Sequence, residues 1–251
     1  MADTTTTAPT PSRIVFDPAW SMVKQAWRWY NDHLKMLLQI CLIAAIPSLL
    51  LQIVLPLTQP AATPVVNANL ALVISYGLGF FVWSLFNIFW TILGTIAIYQ
   101  YLRQPVTSNT AWQQFIGSHT YAVNYFSTTV LFGLIVFGGA LLLIIPGIIW
   151  AVMFSLAPLI SIFEKRSAVE ALKRSKALIQ GHWLDVFWRG LLLGLSVAAV
   201  TIVVSVVLSG IGRVSSLSMV SQLLRVLVSA VLTPLPLIMD YLIYTKLAKK
   251  V

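Results

Sequence analysis

The sequence predicts an all-α integral membrane protein with six transmembrane helices, and three observations carry that expectation. Of the 251 residues, 59% are hydrophobic and only 9% are charged, with a mean hydropathy of +0.88. Soluble domains carry roughly 25% charged residues. The apolar residues come in runs long enough to cross a bilayer, which takes about 20 residues of helix. Laid out as six spans, the chain puts every Lys and Arg except Arg213 and Arg225 on one side. The positive-inside rule makes that side cytoplasmic, with both termini on it. Dropping one span would strand the basic 165–176 cluster outside.

The net charge of +9 is scattered between apolar runs rather than lining a polar domain. It therefore points to anionic lipid headgroups and topology, not to nucleic acid. A single cysteine, Cys41, inside an apolar run, leaves no disulfide framework and no thiolate cluster.

Residues 1–16 are rich in Thr, Pro and Ala and lack a signal peptide's basic and apolar regions, so a disordered cytoplasmic tail is expected. Residues 17–251 form a single membrane domain. Asp17-Pro18 offers a capping carboxylate and a proline at the first helical position, opening an amphipathic helix over 17–33. Trp20, Val23, Trp27 and Tyr30 share one side of it, and Ser21, Lys24, Gln25, Arg28 and Asn31 the other. This segment suits a helix lying in the membrane interface.

The spans follow at about 34–55, 70–102, 121–145, 148–163, 184–208 and 219–247. The second has no charge in 33 residues, too few for two crossings. A single helix over 121–163 would be about 65 Å long, roughly twice the hydrocarbon thickness. Pro146-Gly147 is therefore expected to make a hairpin turn. After Phe163 the chain turns abruptly charged. Ser167 and Glu170 have capping-box spacing and Gly181 suits a left-handed C-terminal cap, framing a basic cytoplasmic helix over 167–181.

Three times a polar amphipathic segment precedes two spans, from Asp17, Ser108 and Ser167, which suggests three parallel helix-plus-hairpin repeats.

Chemistry-bearing residues are few: 7 Asp and Glu and 3 His. No His-x-x-x-His spacing, nucleophile elbow or phosphate-cradling glycine loop occurs. No catalytic, cofactor-binding or metal-binding residues are assigned, and no cofactor is expected. His33, His119 and His182 fall at membrane boundaries, where an amphipathic side chain suffices. Asp240 and Arg189 lie at similar depth in the last two spans and form a candidate intramembrane polar pair; snorkelling of Arg189 and an Asp240–Tyr244 bond is the simpler alternative. Lys165, Arg166, Lys173, Arg174 and Lys176 are candidate lipid headgroup contacts. Trp20, Trp27, Trp29, Trp112 and Trp183 are candidate interfacial anchors. Pro47, Pro158, Pro234 and Pro236 should kink their spans. Gly190 and Gly194 form a G-x-x-x-G, which favours close helix contact within the bundle or between copies, with intrachain packing the simpler expectation.

The run into Pro146-Gly147-Ile148-Ile149, then Pro158, Glu164, Ala171-Leu172-Lys173-Arg174-Ser175, Gly181 and Trp183, resembles a known pattern of roughly 45 residues. It is that of the membrane domain attached to some glycerophosphoryl diester phosphodiesterases and of related stand-alone bacterial six-helix membrane proteins of unknown function. The resemblance implies a six-helix module in a bacterial inner membrane and no activity, because the phosphodiesterase chemistry of those enzymes belongs to a separate soluble domain.

The expectation is a non-enzymatic scaffold or lipid-interacting module with a basic cytoplasmic collar. Its partners would be membrane lipids, anionic ones in particular, with room for a homo-oligomer or a membrane-protein partner. The alternative is a small-molecule transporter or permease using Arg189, Asp240 and the proline-kinked spans.

Overall fold

A computed structural model describes residues 18–58, 70–105, 110–212 and 217–249. These are helical almost throughout: α1 Ala19–Asp32, α2 Leu34–Thr58, α3 Leu70–Arg103, α4 Ala111–Gly117, α5 His119–Leu142, α6 Ile144–Phe154, α7 Ala157–Phe163, α8 Ala168–Ile179, α9 Trp183–Gly212, α10 Ser218–Leu232 and α11 Pro234–Ala248. Six stretches are long and apolar enough to cross a membrane: Leu34–Val54, Gly77–Arg103, His119–Leu142, Ile144–Phe163, Trp183–Gly210 and Met219–Ala248. The chain is an all-α polytopic membrane protein. The expected tail, the Asp17 cap, the whole loop 59–69 after α2, Ser108, and residues 213–216 after α9 lie outside the described residues.

Helix boundaries follow local chemistry, with three departures from the sequence reading. α1 starts one residue later than expected, with Pro18 as its N-cap and the Pro18 carbonyl accepting from the Ser21 N–H at 2.8 Å. α4 is capped by Thr110, whose hydroxyl accepts from the Gln113 N–H at 3.3 Å while Gln113 Oε1 accepts from the Thr110 N–H at 3.1 Å. The third departure concerns the hairpin. The turn is at Leu143, extended at φ −162° and ψ 142°, and Pro146 and Gly147 sit in the first turn of α6. Proline is tolerated there because its missing N–H would have no helical acceptor. Gly147 matters for packing, since a Cβ there would come within 2.8 Å of the Ala140 backbone. It lets α5 and α6 pack backbone to backbone just below the turn.

Two spans break where prolines fall. The fourth is interrupted at Ser155–Leu156, before Pro158, and the sixth at Thr233, before Pro234 and Pro236. By contrast α2 runs unbroken through Pro47. On α8, Glu170 Oε2 accepts from the Ser167 N–H at 3.3 Å, and Gly181 adopts φ +89°, the expected start and stop signals.

The element order gives three units, each an amphipathic helix followed by two spans: α1 with α2–α3, α4 with α5–α7, and α8 with α9–α11. Each amphipathic helix packs mainly on the spans of the preceding unit. α4 lies on α2 and α3, α8 on α5, α6 and α7, and α1 closes the circle on α9 and α11. The two-span pairs join in the same order, through α3 with α5 and α7, α6 with α9, and α10 with α2.

These clasps are deep. The Phe115 ring of α4 lies 4.8 Å from Trp90, 13 residues before the end of α3, which is about 20 Å along the helix. Tyr30 of α1 donates to the Val231 carbonyl of α10 at 3.0 Å. Burial pushes the Tyr30 phenol above its ordinary range, with Cys41 adding to the effect. The buried core gathers around these contacts: Met22, Ala26 and Tyr30 of α1, Leu37, Ile40 and Cys41 of α2, Ile96, Ile98 and Leu102 of α3, Leu159, Ile160 and Ile162 of α7, and Ile238, Met239 and Ile243 of α11. At the other end of the spans, large apolar side chains face outward, as bilayer-embedded surface does.

Candidate functional site

The basic end is where side-chain chemistry concentrates. The final turns of α3, α7 and α11, the second spans of the three units, meet there through aromatic rings. Phe163 contacts Tyr99, Tyr241 and Tyr244 with ring centroids 6.4, 5.9 and 5.5 Å apart. Beside this cluster Glu164 acts as a hub. Its carboxylate takes Arg166 Nε at 2.6 Å, Arg174 Nε at 3.3 Å and the Tyr244 hydroxyl at 3.1 Å. One carboxylate thus ties the end of α7 to α8 and α11.

Several residues behind the family resemblance share this junction. Ser175 of α8 donates to the Met153 carbonyl at 2.9 Å, just before the break between α6 and α7. A helix interrupted ahead of a proline leaves carbonyls without helical donors, and a buried one requires a replacement. Glu164, Arg174 and Ser175 therefore join the second unit to the third, with Pro158 beside the break in the span and Gly181 ending α8.

The candidate polar pair is corrected. Arg189 turns to its own helix, donating to the Asp185 carbonyl at 2.7 Å and to Asp185 Oδ1 at 3.4 Å, with Nε 3.2 Å from Met22 Sδ under α1. An arginine one turn after an aspartate finds a local partner more readily than one on another span. Asp240 instead accepts from the Tyr99 hydroxyl of α3 at 3.3 Å. The alternative Asp240–Tyr244 bond is corrected too, since Tyr244 serves Glu164.

Asp240 lines a lateral cavity of about 390 Å³ between α6, α9 and α11, whose wall includes Ile148, Val152, Phe187, Gly190 and Gly194. A Cβ on either glycine would meet nothing within 4 Å. The G-x-x-x-G of α9 therefore faces this opening and does not support the close intrachain packing expected of it.

Of the five candidate headgroup contacts, Arg166 and Arg174 are committed to Glu164. Lys165, Lys173 and Lys176 are exposed, and none forms an ion pair with a carboxylate among the described residues. Trp20, Trp27, Trp112 and Trp183 are exposed. Trp29 is half-buried: it stacks on His33 at 4.0 Å and packs against Tyr101 and Tyr241 at the core edge. The inward face of α1 is Met22, Ala26 and Tyr30, so α1 shows one face to the protein and carries Trp20 and Trp27 on its exposed surface.

The histidines stay apart. His33 and His119 each place Nδ1 at a backbone carbonyl, that of Trp29 at 3.0 Å and Ile116 at 2.7 Å, and His182 lies 3.9 Å from Asp185. Among the described residues no group of three His, Cys, Asp or Glu could hold a metal ion.

Sequence reasoning missed the Glu164 hub and the Tyr99–Asp240 bond. Both join residues far apart in the chain, by 80 and 141 positions; Asp240 was marked by its isolated charge in an apolar run, and Glu164 only as the first residue of a charged segment. No family model, curated protein or solved structure matches the chain.

Proposed function

We propose that the protein is a non-enzymatic, lipid-interacting scaffold of a bacterial inner membrane, with its basic end and both termini in the cytoplasm. The observation that carries this reading is the ring of three amphipathic helices clasping one end of the bundle, with Trp20, Trp27 and Trp112 exposed on α1 and α4 and Lys173 and Lys176 on α8. Indole rings suit the headgroup level, and each basic residue near an anionic leaflet contributes about 1 kcal/mol. The proposed relation to the membrane domain of glycerophosphoryl diester phosphodiesterases agrees with this role, since the residues carrying it hold units together. Partners of the same kind follow: anionic lipids first, then a second copy or another membrane protein.

A second reading, a small-molecule transporter, draws on one observation: the Asp240 carboxylate in the wall of the cavity between α6, α9 and α11. One experiment separates the two. Native mass spectrometry from mild detergent should find anionic lipid retained by the wild type and reduced in Lys173→Gln/Lys176→Gln. Equal retention in both proteins, or none in either, would sink the collar. In that event labelling of Asp240 by an apolar carbodiimide, abolished in Asp240→Asn, would turn the search to transport.

A further inference from the structure

We infer that the basic end contains a discrete oxyanion-binding site between the first and second units, built to hold a phosphate group. The site is a mainly polar cavity of about 340 Å³ whose wall, apart from Ile162, is Gln100, Arg103, Gln104, Gln114, Tyr121 and Lys165. These residues come from the end of α3, from α4, from the first turn of α5 and from the segment after α7, so the cavity exists only when the units are assembled. It is separate from the exposed lysines of α8 and from the Asp240 cavity.

Its chemistry is one-sided. Arg103 and Lys165 bring two cations, and none of the carboxylates among the described residues forms an ion pair with either. Arg103 lies over the Phe163 ring and Lys165 over the Tyr121 ring, each 5.9 Å from the centroid. Packing on aromatic faces positions the cations without neutralising them.

Gln100 adds a fixed donor. Gln114 Nε2 donates to Gln100 Oε1 at 3.4 Å, which leaves Gln100 Nε2 as the remaining group of that amide. That nitrogen is buried and has no hydrogen-bond partner among the described residues. A buried donor without an acceptor is rare in native proteins and asks for an explanation, a ligand atom being one. Lys165 itself is held at φ +54°, in the left-handed region. A lysine in that conformation is strained, and such strain gathers where a side chain must be aimed.

Two cations and an orphan amide N–H, with no carboxylate in the cavity wall, fit a ligand with several anionic oxygens. At this depth, just past the end of the second span, the oxygens belong to a phospholipid headgroup or to a soluble phosphate compound. The inference rests on the lipid-interacting reading only for which of these sources supplies the phosphate.

The test uses the full chain in dodecyl maltoside with isothermal titration of two probes, inorganic phosphate and dihexanoyl phosphatidylglycerol. The variants are Arg103→Gln and Lys165→Gly, the latter keeping the left-handed backbone relaxed while removing the cation. Lys173→Gln/Lys176→Gln is the control for the collar. Wild type should bind at least one probe, and each site variant should raise Kd by about tenfold or more, with the collar variant unchanged. Binding of phosphatidylglycerol displaced by phosphate assigns the site to a lipid headgroup. Binding of phosphate alone assigns it to a soluble compound. Binding of neither probe by wild type, or unaltered binding by both site variants with thermal midpoints like that of wild type, overturns the site. A collar variant that retains bilayer lipid like wild type sinks the scaffold reading and leaves this result untouched.

Discussion

The two ends of the bundle are made from the same side chains and assembled on different terms. At the basic end Phe115, Ile160, Ile162 and Leu102 are at most 1% exposed. At the far end Phe80, Phe81 and Val82 of α3 and Leu141 to Ile145 at the hairpin tip are all about 58% exposed or more. The difference is whether a clasping helix is present. Where α1, α4 and α8 cover the spans, neighbours must fit one another and every polar group needs a partner. Beyond them, lipid solvates leucine and phenylalanine as well as a neighbouring helix would, so nothing drives those side chains together. The exception at the far end is the α5–α6 turn, where glycines bring two backbones into contact.

The largest effect should come from emptying the clasp. Phe115→Ala removes a fully buried ring, at a cost of about 3–5 kcal/mol. Phe81→Ala, outward-facing at the far end, should change stability by less than about 0.5 kcal/mol. Chemical denaturation in a fixed detergent compares them, and equal losses would erase the distinction between the ends.

Next come the glycines. A Cβ at Gly94 would lie 2.5 Å from the Ala44 Cβ, and one at Gly147 would strike the Ala140 backbone. Alanine at either position should cost about 1–3 kcal/mol by overpacking. Gly190→Ala, facing the open cavity, should be neutral or slightly stabilising, because alanine is the better helix former by about 1 kcal/mol. A loss at Gly190 equal to that at Gly147 would mean the α9 glycines are packing residues after all.

The smallest effect is a slope. Burial holds the Tyr30 phenol neutral above its ordinary range. The unfolded phenol ionises near pH ~10, so the stability this group contributes is complete below that pH and is lost as pH rises towards its raised folded value. Tyr30→Phe should therefore lose stability less steeply than wild type above about pH 10. Parallel pH profiles would show that the hydroxyl anchoring α1 to Val231 is not sequestered.

The six spans, the basic helix and its caps were legible in the chain because each rests on local signals. Run length, a Ser-x-x-Glu box and a terminal glycine act within a few residues. The turn at Leu143 was misread by three positions because Pro-Gly is the usual turn signature, whereas here proline starts a helix and glycine admits a neighbouring backbone. On α1 the sequence groups Trp20, Val23, Trp27 and Tyr30 on one side, and the structure divides them, with Trp20 and Trp27 exposed and Tyr30 buried. The helix has a protein face as well as an exposed one, and one helical periodicity cannot separate two apolar surfaces.

Composition and run length alone determined that this is a six-span helical membrane protein with its charge gathered at one end. They suffice because the bilayer imposes a thickness and a dielectric boundary that every span must satisfy on its own. Tertiary structure decided the rest: that each amphipathic helix clasps the preceding unit, that Glu164 and not Asp240 organises the polar contacts, and that Arg103, Lys165 and Gln100 share a cavity. Those outcomes depend on which helices become neighbours, and apolar faces that lipid and protein solvate equally well carry no mark of which they will meet.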